Sequence, residues 1–421
     1  MADARAFHRL YQLRGSYWFL PSVMVFAAVA LATGLIAVDA HLTGEEARMS
    51  PTTARDIFTT IAGAMIGVAG VAFSMTMVAV SFAGGQFGPR LIGNFMRDQG
   101  NQVSLGAFAA TFVYCVAALR WVGDEGSFDP WLSTHGALVL TGGCIGVFIY
   151  FIHHVPETIN VGNITASVGR RLQAMLRDGP FPRGAGKSVT TSATPRLEHR
   201  ICTEETGYVA RVEVEALIEL ARVHDTTIES CCRPGDFVAS GDVLVRVPEG
   251  LADDEAFERR VRACIALGRE RTPEQNCAFL VDELVEILAR ALSPGVNDPF
   301  TAISCIHWLR AGLTQVLDHD DPSPLRADDD GCPRLRVPVI TFEALAERAL
   351  GAPMQYVASD RNAARALLEA VGKLARDAER PERRETILAY GRNLLRAAEK
   401  VQRVEHDVVM LRQAWHSAVC E

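Results

Sequence analysis

Gly63 and Gly67 form a G-x-x-x-G pair in a long uncharged run, with Gly70 close by and Phe73, Ser74 and Met77 just beyond. Small residues let helix backbones approach closely and pack by dispersion, because lipid offers helices no hydrophobic drive to associate. The pair serves either tight packing inside one subunit or a subunit interface or pore, with Ser74, Thr76 and Ser81 supplying hydroxyls. Gly142 and Gly146 repeat the device in a later run. Other chemistry is scarce. No Ser/His/Asp order, H-E-x-x-H, phosphate loop or paired-carboxylate pattern stands out, so the chain reads as a non-enzyme without catalytic residues. His153 and His154 are adjacent, point in different directions on a helix and chelate a metal poorly; a boundary position in reach of pH suits them better. The acidic run from Asp318 to Asp330 lacks the alternating ligands of a calcium loop and reads as a solvated loop. Ten cysteines without a C-x-x-C pair read as reduced, mostly buried thiols. Neither metal nor cofactor is expected.

The elements that must position these residues begin with four apolar runs, Trp18–Val38, Ile57–Phe82, Val103–Leu119 and Ser133–His153. Each reaches or approaches the roughly 20 residues that cross ~30 Å of hydrocarbon, and none has a charge in its middle. A proton-coupled transporter or pump would ordinarily carry an ionisable group at depth, and these runs carry none. Arginine and lysine near the span ends number ten on one side (Arg5, Arg9, Arg14, Arg90, Arg97 and the segment from Arg170 to Lys187) against Arg48, Arg55 and Arg120 on the other. Both termini therefore face the cytoplasm, with Trp18, Trp121, Trp131 and Tyr150 at the interfaces. Between spans two and three, Gly84-Gly85 breaks the helix, and Pro89 starts a short interfacial helix with Phe95 on one side and Arg90 and Arg97 on the other. That helix is a surface anchor or a gate lever.

Residues 155–195 form a basic juxtamembrane connector, with a helix over Val161–Leu176. Residues 196–250 alternate as short strands around Gly235 and Gly241, each placed for a turn of positive φ and followed by aspartate. This stretch resembles the barrel-sandwich hybrid of biotinyl and lipoyl carriers. Of 42 basic residues only Lys187, Lys373 and Lys400 are lysine, so no hairpin-tip lysine is available and covalent lipoyl or biotinyl carriage is excluded. Residues 251–421 read as helical. Glu255–Arg269 is amphipathic, and Thr272 caps a helix starting at Pro273 and running to Leu292. Asn297 and Asp298 sit in a turn-rich string, with Asp298 capping the next helix; the string is a hinge or a ligand or subunit contact. A strand over Leu335–Thr341 precedes helices at Phe342–Leu350 and Asp360–Asp377. After Pro381, Ile387, Leu394, Val401, Val408 and Trp415 recur every seven residues, either as a long core helix or as an intersubunit coiled coil.

The 421 residues carry a net charge of -8, so no basic field invites nucleic acid. The fold class is thus a four-helix integral membrane domain (1–154) plus an α+β cytoplasmic region with a small barrel-sandwich-like β unit. The string Ser81–Asp98, with Gly207-Tyr208-Val209, Arg233–Val238 and Ala291–Ala302, resembles a bacterial family of predicted membrane proteins, domain of unknown function 2254. The resemblance covers nearly the whole chain and implies a topology without an assigned chemistry. The expected function is an oligomeric inner-membrane protein that forms a channel-like path for ions or small solutes, self-associating in the bilayer, with a cytoplasmic regulatory region. The alternative is a non-transporting, membrane-anchored sensor or scaffold.

Overall fold

The computed structural model describes residues 16–41, 49–87, 98–122, 130–179, 181–182, 197–252 and 254–420. They fall into two compact units, one ending at Asn163 and one running from Ile164 onward.

The first unit contains α1 (Phe19–His41), α2 (Pro51–Phe87), α3 (Gln99–Leu119) and α4 (Trp131–Ile159). All four are long and apolar enough to cross a membrane. Each hydrogen-bonds its own backbone, which is what permits a span in hydrocarbon. Helix α3 is the hub, packed against the other three. Its buried face includes Phe108, Tyr114, Cys115 and Ala118, and it meets Ala28, Ala32, Phe58, Ile61 and Met65 from α1 and α2. Two close approaches set this packing. A methyl group on Gly106 would lie 3.1 Å from the Pro21 backbone, and one on Gly136 would lie 2.6 Å from the Tyr114 hydroxyl. Helix α2 corrects one expectation, because it continues through Gly84-Gly85 to Phe87. Two glycines cost a helix about 1 kcal/mol each, too little to break one whose backbone finds no better partner in lipid.

Helix α5 (Val161–Arg177) begins just before the division and falls mostly in the second unit, where its Gly169 lies against the Trp308 indole. Eight short strands follow: β1 (His199–Cys202), β2 (Gly207–Val212), β3 (Ile228–Ser230), β4 (Phe237–Val238), β5 (Val243–Val247), β6 (Ile265–Gly268), β7 (Leu325–Ala327) and β8 (Pro333–Arg336). They make a five-stranded sheet, β1-β5-β3-β8-β7, and a three-stranded sheet, β4-β2-β6. Helices α6 (Val214–Val223) and α7 (Glu255–Ala263) pack on them. Gly235 and Gly241 take the positive φ that their turns require, +96° and +94°. Three strands come from beyond residue 250. The amphipathic run expected as one helix to Arg269 ends at Ala263, and Ile265–Gly268 becomes β6, pairing antiparallel with β2. The sheet edge offered by Val209–Val212 outweighs helical continuation, an ordinary tertiary override of local pattern.

The helical layer comprises α8 (Cys277–Ala291), α9 (Pro299–Thr314), α10 (Phe342–Ala346), α11 (Met354–Val357), α12 (Arg361–Asp377), α13 (Pro381–Val401) and α14 (Glu405–Cys420). Helix α8 starts four residues later than the Thr272 cap predicts. Asn276 is the N-cap, accepting from Phe279 N, and Gln275 lies in the left-handed region at φ 51°. The acidic run is not a plain solvated loop: it contains β7, and Asp320, Asp321 and Asp328 pair with Arg380, Arg383 and Arg334. The seven-residue repeat past Pro381 does not make one long helix either. The chain breaks between Val401 and Glu405, and α13 and α14 both pack on α12. Trp415 sits against Gly391, and Ile387 and Leu394 of the repeat are buried, while Val401 stays exposed.

Candidate functional site

The residues singled out in span two come together on one face. Gly63, Gly67, Gly70, Phe73, Ser74 and Met77 are all exposed, while Phe58, Ile61, Met65, Ala69, Ala72 and Thr76 turn into the bundle. Gly63, Gly67, Gly70, Ser74, Met77 and Ser81 alternate at four and three residues, a stripe of period 3.5 along one side of α2. A methyl group added at any of the three glycines would meet nothing within 4 Å among the described residues. Gly142, Gly143 and Gly146 of α4 are open in the same way. Thr76 differs from its neighbours: it is buried and its hydroxyl donates to the Ala72 carbonyl at 2.8 Å.

Polar groups close both ends of the bundle. At one end the buried Asp39 carboxylate accepts from the backbone N–H groups of Leu132 and Ser133, and Tyr114 donates to the Ser133 carbonyl at 2.7 Å. Span four thus begins on a carboxylate supplied by span one. At the other end Asp98 caps α3 by accepting from Asn101 N at 3.0 Å and meets His154 Nε2 at 2.8 Å, with the Tyr150 ring stacked on the imidazole. A side chain on Gly100 would strike Tyr150 and His154. His153, by contrast, is exposed. Pro89, Arg90, Phe95 and Arg97, expected to form the interfacial gate helix, lie outside the described residues.

In the second unit Asn297 adopts φ 49° and is exposed, and Asp298 caps α9 by accepting from Thr301 N at 3.2 Å. Asn297 and Asp298 are thus brought together by the turn, where the Asp298 carboxylate is already engaged.

Sequence reading overlooked a cavity of about 350 Å³ beside the start of α8. Its walls are mostly apolar, including Val212, Val337, Pro338 and Ile340, and Arg233, Arg326, Asn276 and Cys277 also line it. Gln275 and Asn276, at the end of the loop Arg271–Asn276, line one side. Gln275 Oε1 accepts from Val212 N at 3.1 Å, and Asn276 Oδ1 is spent on the cap. The Asn276 amide nitrogen is buried without a partner among the described residues, against Gly235, where a side chain would collide with it. Arg271 and Arg348 converge on Asp282 at 2.8 and 2.9 Å and brace this loop against the helical layer. Burial pushes the Cys277 thiol up to about 11 and the Cys232 thiol up to about 12. The only sequence signal for this site was the crowding of Arg, Thr, Pro, Glu, Gln and Asn between two apolar runs. Among the described residues no three His, Cys, Asp or Glu side chains converge as metal ligands.

Comparison with known proteins places residues 14–373 under the profile of the family described as "Predicted membrane protein (DUF2254)". Uncharacterized protein Rv1290c of Mycobacterium tuberculosis H37Rv and uncharacterized protein Mb1321c of Mycobacterium bovis are each 29% identical over 415 residues, covering 95% of this chain and 79% of the relative. No solved structure matches.

Proposed function

Because the chain belongs to the DUF2254 family of predicted membrane proteins, we propose that it is a non-enzymatic protein of the bacterial inner membrane that self-associates through span two and forms a channel-like path for ions or small solutes between its copies. The observation that carries this reading is the open glycine stripe of α2, where Gly63, Gly67 and Gly70 meet no neighbour among the described residues. Against lipid alone such a stripe gains nothing, whereas against a second helix it permits close backbone approach. Ser74 and Ser81 on the same side offer hydroxyls to a water-filled path. Both termini lie on the cytoplasmic side, and the second unit, with its barrel-sandwich-like strands, acts as a regulatory region there. The test is Gly63→Leu combined with Gly67→Leu, read by particle mass in detergent and by ion flux in liposomes. The expected result is loss of the oligomer and of flux; unchanged mass and unchanged flux overturn the assignment. A second reading, a membrane-anchored sensor without transport, is favoured by the cavity in the soluble unit and predicts silent bilayers.

A further inference from the structure

The cavity beside α8 combines features that select one kind of molecule. About 350 Å³ is at the lower end of the ~300–1,000 Å³ usual for small-molecule sites, and its walls are mostly carbon. Two arginines line it. Arg233 is already matched by Asp236 at 3.4 Å. Arg326 is half-buried, forms no ion pair among the described residues, and donates only to the Ser323 and Leu325 carbonyls. Burial works against its charge, with no carboxylate among the described residues to offset the cost. A desolvated, unmatched arginine on an apolar wall is a poor stability device and a good anion receptor. Two further groups point the same way. The first turn of α8, Cys277 and Ala278, forms part of the wall, and a helix N-terminus favours negative charge. Asn276, 6% exposed, holds a buried amide nitrogen that finds no acceptor among the described residues.

We propose that this cavity binds a small apolar carboxylic acid, its carboxylate on Arg326 and the Asn276 amide at the start of α8, its hydrocarbon body against Val212, Val337, Pro338 and Ile340. One unmatched guanidinium balances one negative charge, which favours a carboxylate over a dianionic phosphate. The site is independent of the span-two reading, since its loss leaves the α2 stripe untouched.

The test uses the full chain in lipid nanodiscs, titrated calorimetrically with 4-phenylbutyrate and with its neutral counterpart 4-phenylbutanol, against empty nanodiscs as the blank. The expected result is saturable binding of the acid, with the alcohol at least tenfold weaker. Arg326→Gln should weaken the acid about tenfold and leave the alcohol unchanged, and Arg326→Lys should recover part of the loss. Ile340→Trp, which fills the cavity, should abolish binding of the acid. Equal affinity for acid and alcohol overturns the proposal, as does an unchanged acid affinity in Arg326→Gln. If Arg326→Gln fails to fold, Ile340→Trp decides, and undiminished binding there overturns it. Absence of saturable acid binding to the wild-type chain also overturns it.

Discussion

Asp39, at the end of span one, caps Ser133 at the start of span four: its Oδ2 accepts from the Ser133 backbone N–H at 2.8 Å while Oδ1 accepts from Leu132 N at 2.9 Å. The contact joins residues 94 positions apart. It satisfies orphan donors of a helix that otherwise starts without a side-chain cap. Asp39→Ala should cost about 1–2 kcal/mol, read as a lower unfolding midpoint in detergent, with Asp39→Asn intermediate. An unaltered midpoint in Asp39→Ala would show that the cap adds nothing.

Gly391 and Trp415 lock α13 to α14. A methyl group at 391 would overlap the edge of the Trp415 indole. Gly391→Ala should therefore destabilise by about 1–3 kcal/mol through overpacking. Combined with Trp415→Phe, the loss should be smaller than the sum of the two single losses. Additive losses would mean that the two residues do not share this contact.

Arg383 is buried beneath the Phe342 ring and donates to the carbonyls of Val316 and Leu317 at 2.6 and 2.7 Å. Arg383→Met keeps much of the volume but strands both acceptors, a loss of about 1–3 kcal/mol. Chemical denaturation of the detergent-solubilised chain measures it. A midpoint equal to wild type would show that water replaces the guanidinium freely.

The Arg334 guanidinium, 2.7 Å from Asp328, holds that carboxyl below the usual carboxylate range, and Cys332 N–H adds to the effect. A depressed folded-state value means that the pair stabilises fully above the unfolded value of about 3.9 and loses its contribution as pH falls through the lower folded one. Arg334→Gln should thus melt lower than wild type at pH 7, and the gap should close in acid, below about pH 4. A gap that persists at the lowest pH would assign it to packing instead of pairing.

Thiol reactivity should follow burial. Cys332 and Cys420 are exposed and should alkylate first at neutral pH. Cys277 and Cys232, buried and raised to about 11 and about 12, should stay unmodified until the second unit unfolds. Peptide mass spectrometry after a timed maleimide pulse distinguishes the classes; early labelling of Cys277 would show the cavity wall to be open to solvent.

Sequence alone determined the membrane character, the four spans, the turns at Gly235 and Gly241 and the Asp298 cap, because each follows from local chemistry. A long uncharged run cannot be satisfied by water, and a positive φ or an N-cap selects its residue within a few positions. Tertiary structure decided what depends on distant partners. Ile265–Gly268 became a strand because β2 offered an edge, and the repeat after Pro381 folded back because α12 could bury both halves. The glycines of span two read from sequence as tight packing within one subunit or as a subunit interface or pore; the bundle places α3, not α2, at its centre, and a methyl group at any of the three meets nothing within 4 Å among the described residues. The cavity beside α8 was invisible for the same reason: Val212, Arg233, Asn276, Arg326 and Ile340 lie far apart in the chain, and only the folded sheets and helices bring their side chains around one space.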